Sequence, residues 1–103
     1  MQEEQNVKEY LKNRTDGDLL VDLRDSYTYQ CGTIPGAVNL PLSNLRHLYQ
    51  LPKDKRICVF CQYGEMSREI LVLLKEAGYE ACHLAGGYRE YLKLLQEESQ
   101  PGS

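Results

Sequence analysis

A cysteine stands where an apolar segment typical of a buried strand gives way to a helical pattern. The apolar segment is 57–60, and helical spacing of apolar residues is clear from Ile70 onward. The run between them is Cys61-Gln62-Tyr63-Gly64-Glu65-Met66-Ser67-Arg68. Backbone N–H groups of a loop at this point can surround the sulfur, and the positive end of the following helix points towards it. Both effects stabilise a thiolate, so the sequence predicts that Cys61 is an anionic sulfur nucleophile.

Cys58 and Cys61 have the spacing of a redox dithiol and of half a zinc site. If Cys58 lies in an extended strand, the two α-carbons are roughly 10 Å apart, beyond the roughly 4.4–6.8 Å that a disulfide spans. In the thioredoxin type the first cysteine lies in the turn, whereas here only Cys61 reaches it. No second closely spaced ligand pair supports zinc. We therefore expect Cys58 and Cys82 to pack in the core. Cys31 lies near a turn and remains a candidate for a resolving thiol.

Length and composition restrict the classes of function. The 103 residues are enough for one compact domain and too few for two. With 15 acidic and 12 basic residues, a net charge of −3 and no basic run, neither nucleic acid nor an anionic membrane is expected as a partner. The chain shows no membrane span and no signal-peptide pattern, so we expect a cytoplasmic location with reduced thiols.

Short apolar segments alternate with helical patterns along the chain. The predicted strands are 19–23, 37–40, 56–60 and 80–84, and the predicted helices are 3–13, 26–30, about 43–50, 67–77 and 88–96. A polar tail, 99–103, is expected to be disordered. Such alternation predicts an α/β sandwich with a parallel sheet and helices on both faces. Ligands of such sheets lie beyond the carboxyl ends of the strands, which is where Cys61 follows strand 56–60.

Four motifs, in order and spacing, resemble the single-domain rhodanese-like sulfurtransferases. They are Val21-Asp22-Leu23-Arg24, Gly32-Thr33-Ile34-Pro35-Gly36-Ala37, Cys61-x-x-Gly64-x-x-Ser67, and Leu84-Ala85-Gly86-Gly87 followed by Tyr91, where the family usually has Trp. The resemblance covers nearly the whole chain. It implies the rhodanese-like three-layer sandwich with a five-stranded parallel sheet, formed by residues 1–98 as a single domain.

The resemblance also implies that Cys61 is the catalytic cysteine and carries sulfane sulfur as a persulfide. The thiolate would take sulfur from thiosulfate or a persulfide donor and pass it to a thiophilic acceptor, either cyanide or a cellular thiol. The residues expected to bind the substrate are the rest of the loop: Gln62, Tyr63, Gly64, Glu65, Met66, Ser67 and Arg68. Gly64 is expected to have a positive φ, which a tight cradle needs. No metal or organic cofactor is implied.

The chain departs from the family at several positions of the expected site. Thr33 stands where His is common, and Gln62 and Glu65 stand where thiosulfate-preferring members often carry basic residues. Glu65 would repel a dianionic donor, so weak activity with thiosulfate is expected. Arg68 could offset this repulsion by folding over the loop, or it could face solvent.

Two other functions compete with sulfur transfer. Phosphatases and arsenate reductases of this fold use a seven-residue loop, whereas a loop of six residues, 61–66, is expected here. Their signature Cys-x5-Arg also fails, because Ser67 occupies the place of the arginine. The main alternative is a sulfur-relay or binding module of a larger multidomain protein, such as a disulfide reductase fusion. An intact loop with Cys61 favours an active enzyme over a binding module.

Other polar and aromatic residues are predicted to have structural roles. Asp22 and Arg24 are expected to form an ion pair or a turn anchor rather than an acid and a base. His83 is expected to be hydrogen-bonded or on the surface. The tyrosines at helical spacing are expected to pack on the sheet or at its rim: Tyr27, Tyr29, Tyr88 and Tyr91.

Overall fold

The computed structural model describes residues 3–99, which form a five-stranded sheet between two layers of helices. The strands are β1 (Glu4–Gln5), β2 (Asp18–Asp22), β3 (Val38–Asn39), β4 (Arg56–Phe60) and β5 (Ala81–Leu84). The helices are α1 (Val7–Asn13), α2 (Ser26–Cys31), α3 (Glu65–Glu76) and α4 (Gly87–Glu98), with a 3₁₀ helix at Leu42–Gln50. The strand order is β1-β5-β4-β2-β3, and neighbouring strands are parallel. The predicted α/β sandwich is confirmed.

The central strand β4 buries both of its faces, because successive side chains of a strand point to opposite sides. Cys58 and Phe60 pack with residues of α1 and α4, whereas Ile57 and Val59 pack with α3 and the 3₁₀ helix. All four side chains are fully buried. Burial on both faces explains why β4 is an unbroken apolar run in the sequence. The position of β4 in the middle of the sheet also places Cys61 at the centre of the carboxyl edge.

The structure begins with a strand that the sequence pattern did not predict. The prediction was a helix within 3–13, but β1 pairs with β5 at the sheet edge and α1 starts only at Val7. Asn6 caps α1, and its side-chain oxygen accepts a hydrogen bond from the Glu9 N–H at 3.2 Å. A strand of two polar residues has no hydrophobic period, so its pairing with β5 defines it. Pattern alone predicted four strands, and β1 is the fifth that the family resemblance implied.

Helix α3 begins at Glu65, two residues before the predicted start at Ser67. Gly64 precedes it with a φ of 93°, which confirms the expected positive φ. A Cβ at Gly64 would also lie 2.8 Å from the backbone nitrogen of Gly86. The non-helical connection after β4 is therefore 61–64, and the predicted six-residue loop is wrong.

Two other segments differ from the prediction in detail. The stretch expected as a helix at about 43–50 is a 3₁₀ helix that starts at Leu42, with Pro41 at its N-cap position and no side-chain cap. Helix α4 extends to Glu98, and the Ser99 N–H donates to the Leu95 carbonyl at 3.1 Å. The rest of the predicted tail, 100–103, lies outside the described residues. Within 3–99, no helix has the length and apolar character needed to cross a membrane.

The tyrosines at helical spacing do not all pack as predicted. Tyr91 is buried, and Tyr29 and Tyr88 are half-buried beside the sheet. Tyr27 is 76% exposed, so the prediction is wrong for this residue. It lies on α2, a short helix that has no fully buried residue.

Candidate active site

The Cys61 sulfur lies beyond the carboxyl end of β4 and accepts hydrogen bonds from the backbone. The N–H groups of Gly64 and Ser67 lie 3.1 Å and 3.3 Å from Sγ. Ser67 is the third residue of α3, and N–H groups in the first turn of a helix have no acceptor within the helix. Two donors directed at one sulfur stabilise an anionic sulfur more than a neutral thiol. Cys61 is only 5% exposed, so water competes little for these bonds.

The first turn of α4 is hydrogen-bonded to the backbone of this loop. The Tyr88 N–H donates to the Cys61 carbonyl at 2.8 Å, and the Arg89 N–H donates to the Gln62 carbonyl at 3.1 Å. A Cβ at Gly87 would overlap the Cys61 carbonyl oxygen. The second glycine of the Gly-Gly motif is therefore required by the close approach of two backbone segments.

The predicted substrate-binding residues divide into two groups. Gly64 and Ser67 are buried and contact the sulfur through their amides, and Gln62 is half-buried. The other four are exposed at the surface: Tyr63, Glu65, Met66 and Arg68. The Arg68 side chain faces solvent, the second of its two predicted orientations: it is 67% exposed and paired with Glu4 at 3.4 Å. Arg68 therefore extends towards β1 instead of folding over the loop.

A cavity of about 460 Å³ opens beside the sulfur. Its wall includes Leu23, Arg24, Pro41, Leu42, Cys61 and Met66. Apolar side chains form most of this wall. Arg24 is a cation in the wall, but its guanidinium is already paired with Asp22 at 2.8 Å. The cavity can therefore admit a small organic molecule next to Cys61.

Asp22 and Arg24 form a buried ion pair, as predicted, and not an acid and a base. The Asp22 carboxylate accepts hydrogen bonds from Arg24 Nη2 at 2.8 Å and from the Thr33 hydroxyl at 2.7 Å. Arg24 Nη1 donates to the side-chain oxygen of Gln62 at 3.2 Å. This hydrogen-bond network links the end of β2 to the Cys61 loop. Thr33, which departs from the family pattern, is one of the donors that satisfy Asp22.

His83 lies closer to the loop than the sequence indicated. Its ring is 1% exposed, with Nδ1 3.0 Å from Ser67 Oγ and Nε2 3.1 Å from Glu4 Oε2. The prediction of a hydrogen-bonded histidine is confirmed, but its partners were not predicted. The hydrogen bond to His83 is the main cause that lowers the pKa of Glu4. Glu4 is on β1 and pairs in register with His83, so only recognition of β1 as a strand would have indicated this contact.

The other three thiols are separate from the site. Cys58 and Cys82 face each other across β4 and β5 and are fully buried, which confirms their predicted place in the core. Burial raises the pKa of Cys58 well above its ordinary value. Cys31 is exposed at the end of α2, and all four cysteines are free thiols. Within 3–99, no group of three or more His, Cys, Asp and Glu side chains is arranged to hold a metal ion.

The chain is similar to a family model, to sequences of known proteins and to solved structures. The model of the rhodanese-like domain matches residues 6–94. The tRNA uridine(34) hydroxylase of Bartonella henselae is 35% identical in an alignment of 89 positions that covers 78% of this chain and 29% of the hydroxylase. Human thiosulfate:glutathione sulfurtransferase is 34% identical in an alignment of 90 positions that covers 72% of this chain and 78% of that protein. The crystal structure of a rhodanese-related protein from Thermoplasma volcanium aligns with a TM-score of 0.72 and 26% identity, covering 92% of this chain and 88% of that one. The chain thus spans less than a third of the hydroxylase.

Proposed function

The chain belongs to the rhodanese-like domain family, and we propose that it is a sulfurtransferase that carries sulfane sulfur as a persulfide on Cys61. The observation that carries this proposal is the pair of backbone donors, from Gly64 and Ser67, directed at one nearly buried sulfur. The similarity to human thiosulfate:glutathione sulfurtransferase supports it. The cavity beside the sulfur provides the space in which a donor or an acceptor can approach.

The proposed reaction has two halves. In the first, the Cys61 thiolate attacks the outer sulfur of thiosulfate or of a low-molecular-weight persulfide. The S–S bond of the donor breaks, its electron pair leaves with sulfite or with the donor thiolate, and Cys61 becomes a persulfide anion. In the second, cyanide or an acceptor thiolate attacks the outer sulfur, and Cys61 leaves as a thiolate. Atoms and electrons balance without an added oxidant or reductant.

The loop amides stabilise each charged state in this sequence. Gly64 and Ser67 donate to the inner sulfur, which carries the charge in the thiolate. The N–H groups of Glu65 and Met66 are in the first turn of α3 and have no acceptor within that helix. We propose that they bind the outer sulfur, which carries the charge in the persulfide. Fixed amide dipoles then replace the water that would otherwise solvate it.

The surroundings of Cys61 favour a donor with little negative charge. The cavity wall is mostly apolar, and the positive charge of Arg24 in that wall is balanced by Asp22. Glu65 is exposed at the start of α3, while Arg68 is directed to Glu4. We propose an organic persulfide or polysulfide as the better donor, a cellular thiol as the acceptor, and a cytoplasmic location in which the thiols stay reduced.

Loading the protein with sulfur tests the proposal. Incubation with thiosulfate or glutathione persulfide, followed by intact-mass and peptide analysis, should show one added sulfur on Cys61. Cys61→Ser should abolish both the label and the turnover with cyanide, whereas Cys31→Ser, at an exposed thiol on α2, should retain them. Equal labelling of Cys58, or turnover by Cys61→Ser, would refute the assignment.

A second candidate function is that of a sulfur-relay or binding module within a longer polypeptide. The chain matches only 29% of the tRNA uridine(34) hydroxylase, which shows that domains of this family occur within longer proteins. In that arrangement a second domain, such as a disulfide reductase, would present its own thiol to Cys61. We propose that residues 1–98 act as a single rhodanese domain in either case. Sequencing the reading frame on both sides of the coding segment distinguishes the two candidates.

A further inference from the structure

Hydrogen bonds made by Ser67 and His83 connect the Cys61 sulfur to a surface carboxylate. The Ser67 N–H lies 3.3 Å from Sγ, and the Ser67 hydroxyl oxygen lies 3.0 Å from His83 Nδ1. On the other side of the ring, His83 Nε2 lies 3.1 Å from Glu4 Oε2. Ser67 is 0% exposed and His83 is 1% exposed. The hydrogen bonds that Ser67 makes to Sγ and to His83 are therefore shielded from water, which makes them stronger and more directional.

Glu4 holds the ring of His83 through Nε2. An ionised carboxylate can only accept, so Nε2 carries a hydrogen that points at Glu4. Nδ1 lies beside the Ser67 hydroxyl, which has one hydrogen and donates it to one acceptor at a time. The same hydroxyl oxygen also lies 3.2 Å from the Gly64 carbonyl. The Ser67 side chain is thus held between the histidine ring and the residue that supplies the other amide to the sulfur.

The position of Ser67 controls the two donors to the sulfur. Its own N–H is one donor, and its hydroxyl is in contact with Gly64, whose N–H is the other. A change in the Ser67 side chain therefore alters the spacing of both N–H groups relative to Sγ. His83 is the contact outside the loop that fixes this side chain. It touches neither the sulfur nor the cavity wall given above.

We propose that His83 is a positioning residue for the Cys61 loop, and that it acts through Ser67 on the two amides that hold the sulfur. Glu4 supports this role by accepting a hydrogen bond from Nε2, which fixes the orientation of the ring. The effect on turnover rests on the proposed function, but the effect on the Cys61 sulfur does not. A merely structural histidine, needed only to fill the space between β1 and α3, would be indifferent to which of its two nitrogens is replaced.

Two amide substitutions separate these roles. His83→Asn places an amide group where Nδ1 lies, so it can retain the contact with Ser67 while losing Glu4. His83→Gln reaches the position of Nε2, so it can retain Glu4 while losing Ser67. Neither side chain titrates, and both are polar and uncharged. The pair therefore differs mainly in which of the two hydrogen bonds survives.

The readouts are the iodoacetamide alkylation rate of Cys61, kcat and KM for sulfur transfer to cyanide, and the melting temperature. All variants carry Cys31→Ser, so that alkylation of the folded protein reports Cys61. We expect the alkylation rate and kcat of His83→Asn to stay within about twofold of the parent, as one retained hydrogen bond implies. His83→Gln should lower both about three- to tenfold, with a smaller change in KM.

A double-mutant cycle keeps the test valid if one variant folds poorly. Ser67→Ala removes the hydroxyl, and in that background Asn and Gln at position 83 should alkylate at equal rates. Ser67→Ala alone should reproduce the loss expected for His83→Gln. Equal alkylation rates for Asn and Gln with Ser67 intact, or a slower rate for Asn, would overturn the positioning role. Because alkylation needs no sulfur donor, the Asn–Gln contrast in a protein without transferase activity would refute the proposed function and sustain this inference.

Discussion

Tyr88 donates its backbone N–H to the carbonyl oxygen of Cys61 at 2.8 Å. The bond joins the first turn of α4 to the residue whose sulfur is the proposed nucleophile, although the two are distant in sequence. The approach depends on Gly87, because any Cβ there would overlap the Cys61 carbonyl. The distance between α4 and the loop is therefore set by backbone contact, which no side-chain rotation can relieve.

We predict that Gly87→Ala lowers both the stability and the rate of sulfur transfer. Its φ of 61° alone costs about 1 kcal/mol for a residue with a Cβ, and the overlap adds about 1–3 kcal/mol of packing strain. The loop must move to accommodate the methyl group, which displaces the sulfur. Urea unfolding and cyanide-coupled turnover measure the two effects.

Gly78→Ala is the matched control for Gly87→Ala. Gly78 also has a positive φ, of 90°, but a Cβ there would meet only Lys53 Nζ at 3.5 Å within 4 Å. This variant should lose about 1 kcal/mol of stability and keep its turnover. If both variants lost equal stability and both kept full turnover, the contact between Gly87 and the Cys61 carbonyl would not position the sulfur.

Glu65→Gln should raise kcat/KM for thiosulfate about fivefold at low salt, because it removes a like charge from the approach of a dianion. The gain should be smaller for a neutral polysulfide donor and should shrink as salt screens the repulsion. Glu69→Gln, one turn further along the exposed face of α3, is the control and should change little. Unchanged thiosulfate turnover in Glu65→Gln at low salt would show that this carboxylate points away from the donor.

Thiol reactivity should divide the four cysteines by burial. In the folded protein, iodoacetamide should label Cys31, which is exposed, and Cys61, which opens on the cavity. Cys58 and Cys82 should react only after denaturation, because both are fully buried and burial raises the pKa of Cys58. Peptide mapping after brief labelling checks this prediction. Rapid labelling of Cys58 under native conditions would contradict the packing of β4 against β5.

Asp25 should contribute to the acid dependence of stability through the cap of α2. Its carboxylate accepts the Thr28 N–H at 2.9 Å and the Thr28 hydroxyl at 2.7 Å, and these bonds, the backbone one first, lower its pKa below the ordinary value of 3.8. A lowered pKa in the folded state means that the contribution is present above the ordinary value and is lost as pH falls through the lower one.

Asp25→Asn keeps a cap acceptor but does not titrate. The difference in urea midpoint between the parent and this variant should therefore stay constant above about pH 5 and shrink towards about pH 3. A difference that is unchanged across this interval would show that the carboxylate charge adds nothing to the cap.

Local features of the site follow from the sequence. Cys61 comes directly after an apolar run, and the N–H groups that contact its sulfur belong to Gly64 and Ser67, only three and six residues further on. The requirement for glycine at position 64 follows from the same short segment. Hydrogen bonds over such short separations depend on local backbone geometry, which residue types largely determine.

Contacts that join distant segments were decided by the tertiary structure. No pattern in the sequence indicates that Glu4 begins a strand, because two polar residues have no hydrophobic period. Without β1, the contact of Glu4 with His83 cannot be predicted. The close packing of Gly64 against the Gly86 backbone likewise joins segments that are distant in sequence.

The sequence alone therefore determined the family, the α/β class and the placement of Cys61. Apolar periodicity and short motifs each lie within a single strand, helix or loop, so they can be recognised without the tertiary structure. Only the tertiary structure decided which segments support the Cys61 loop: the first turn of α4 behind it, and His83 with Glu4 beside it. These contacts depend on strand register and on the approach of helices across the sheet. Neither is encoded within a single element, since each is fixed only when the complete core packs.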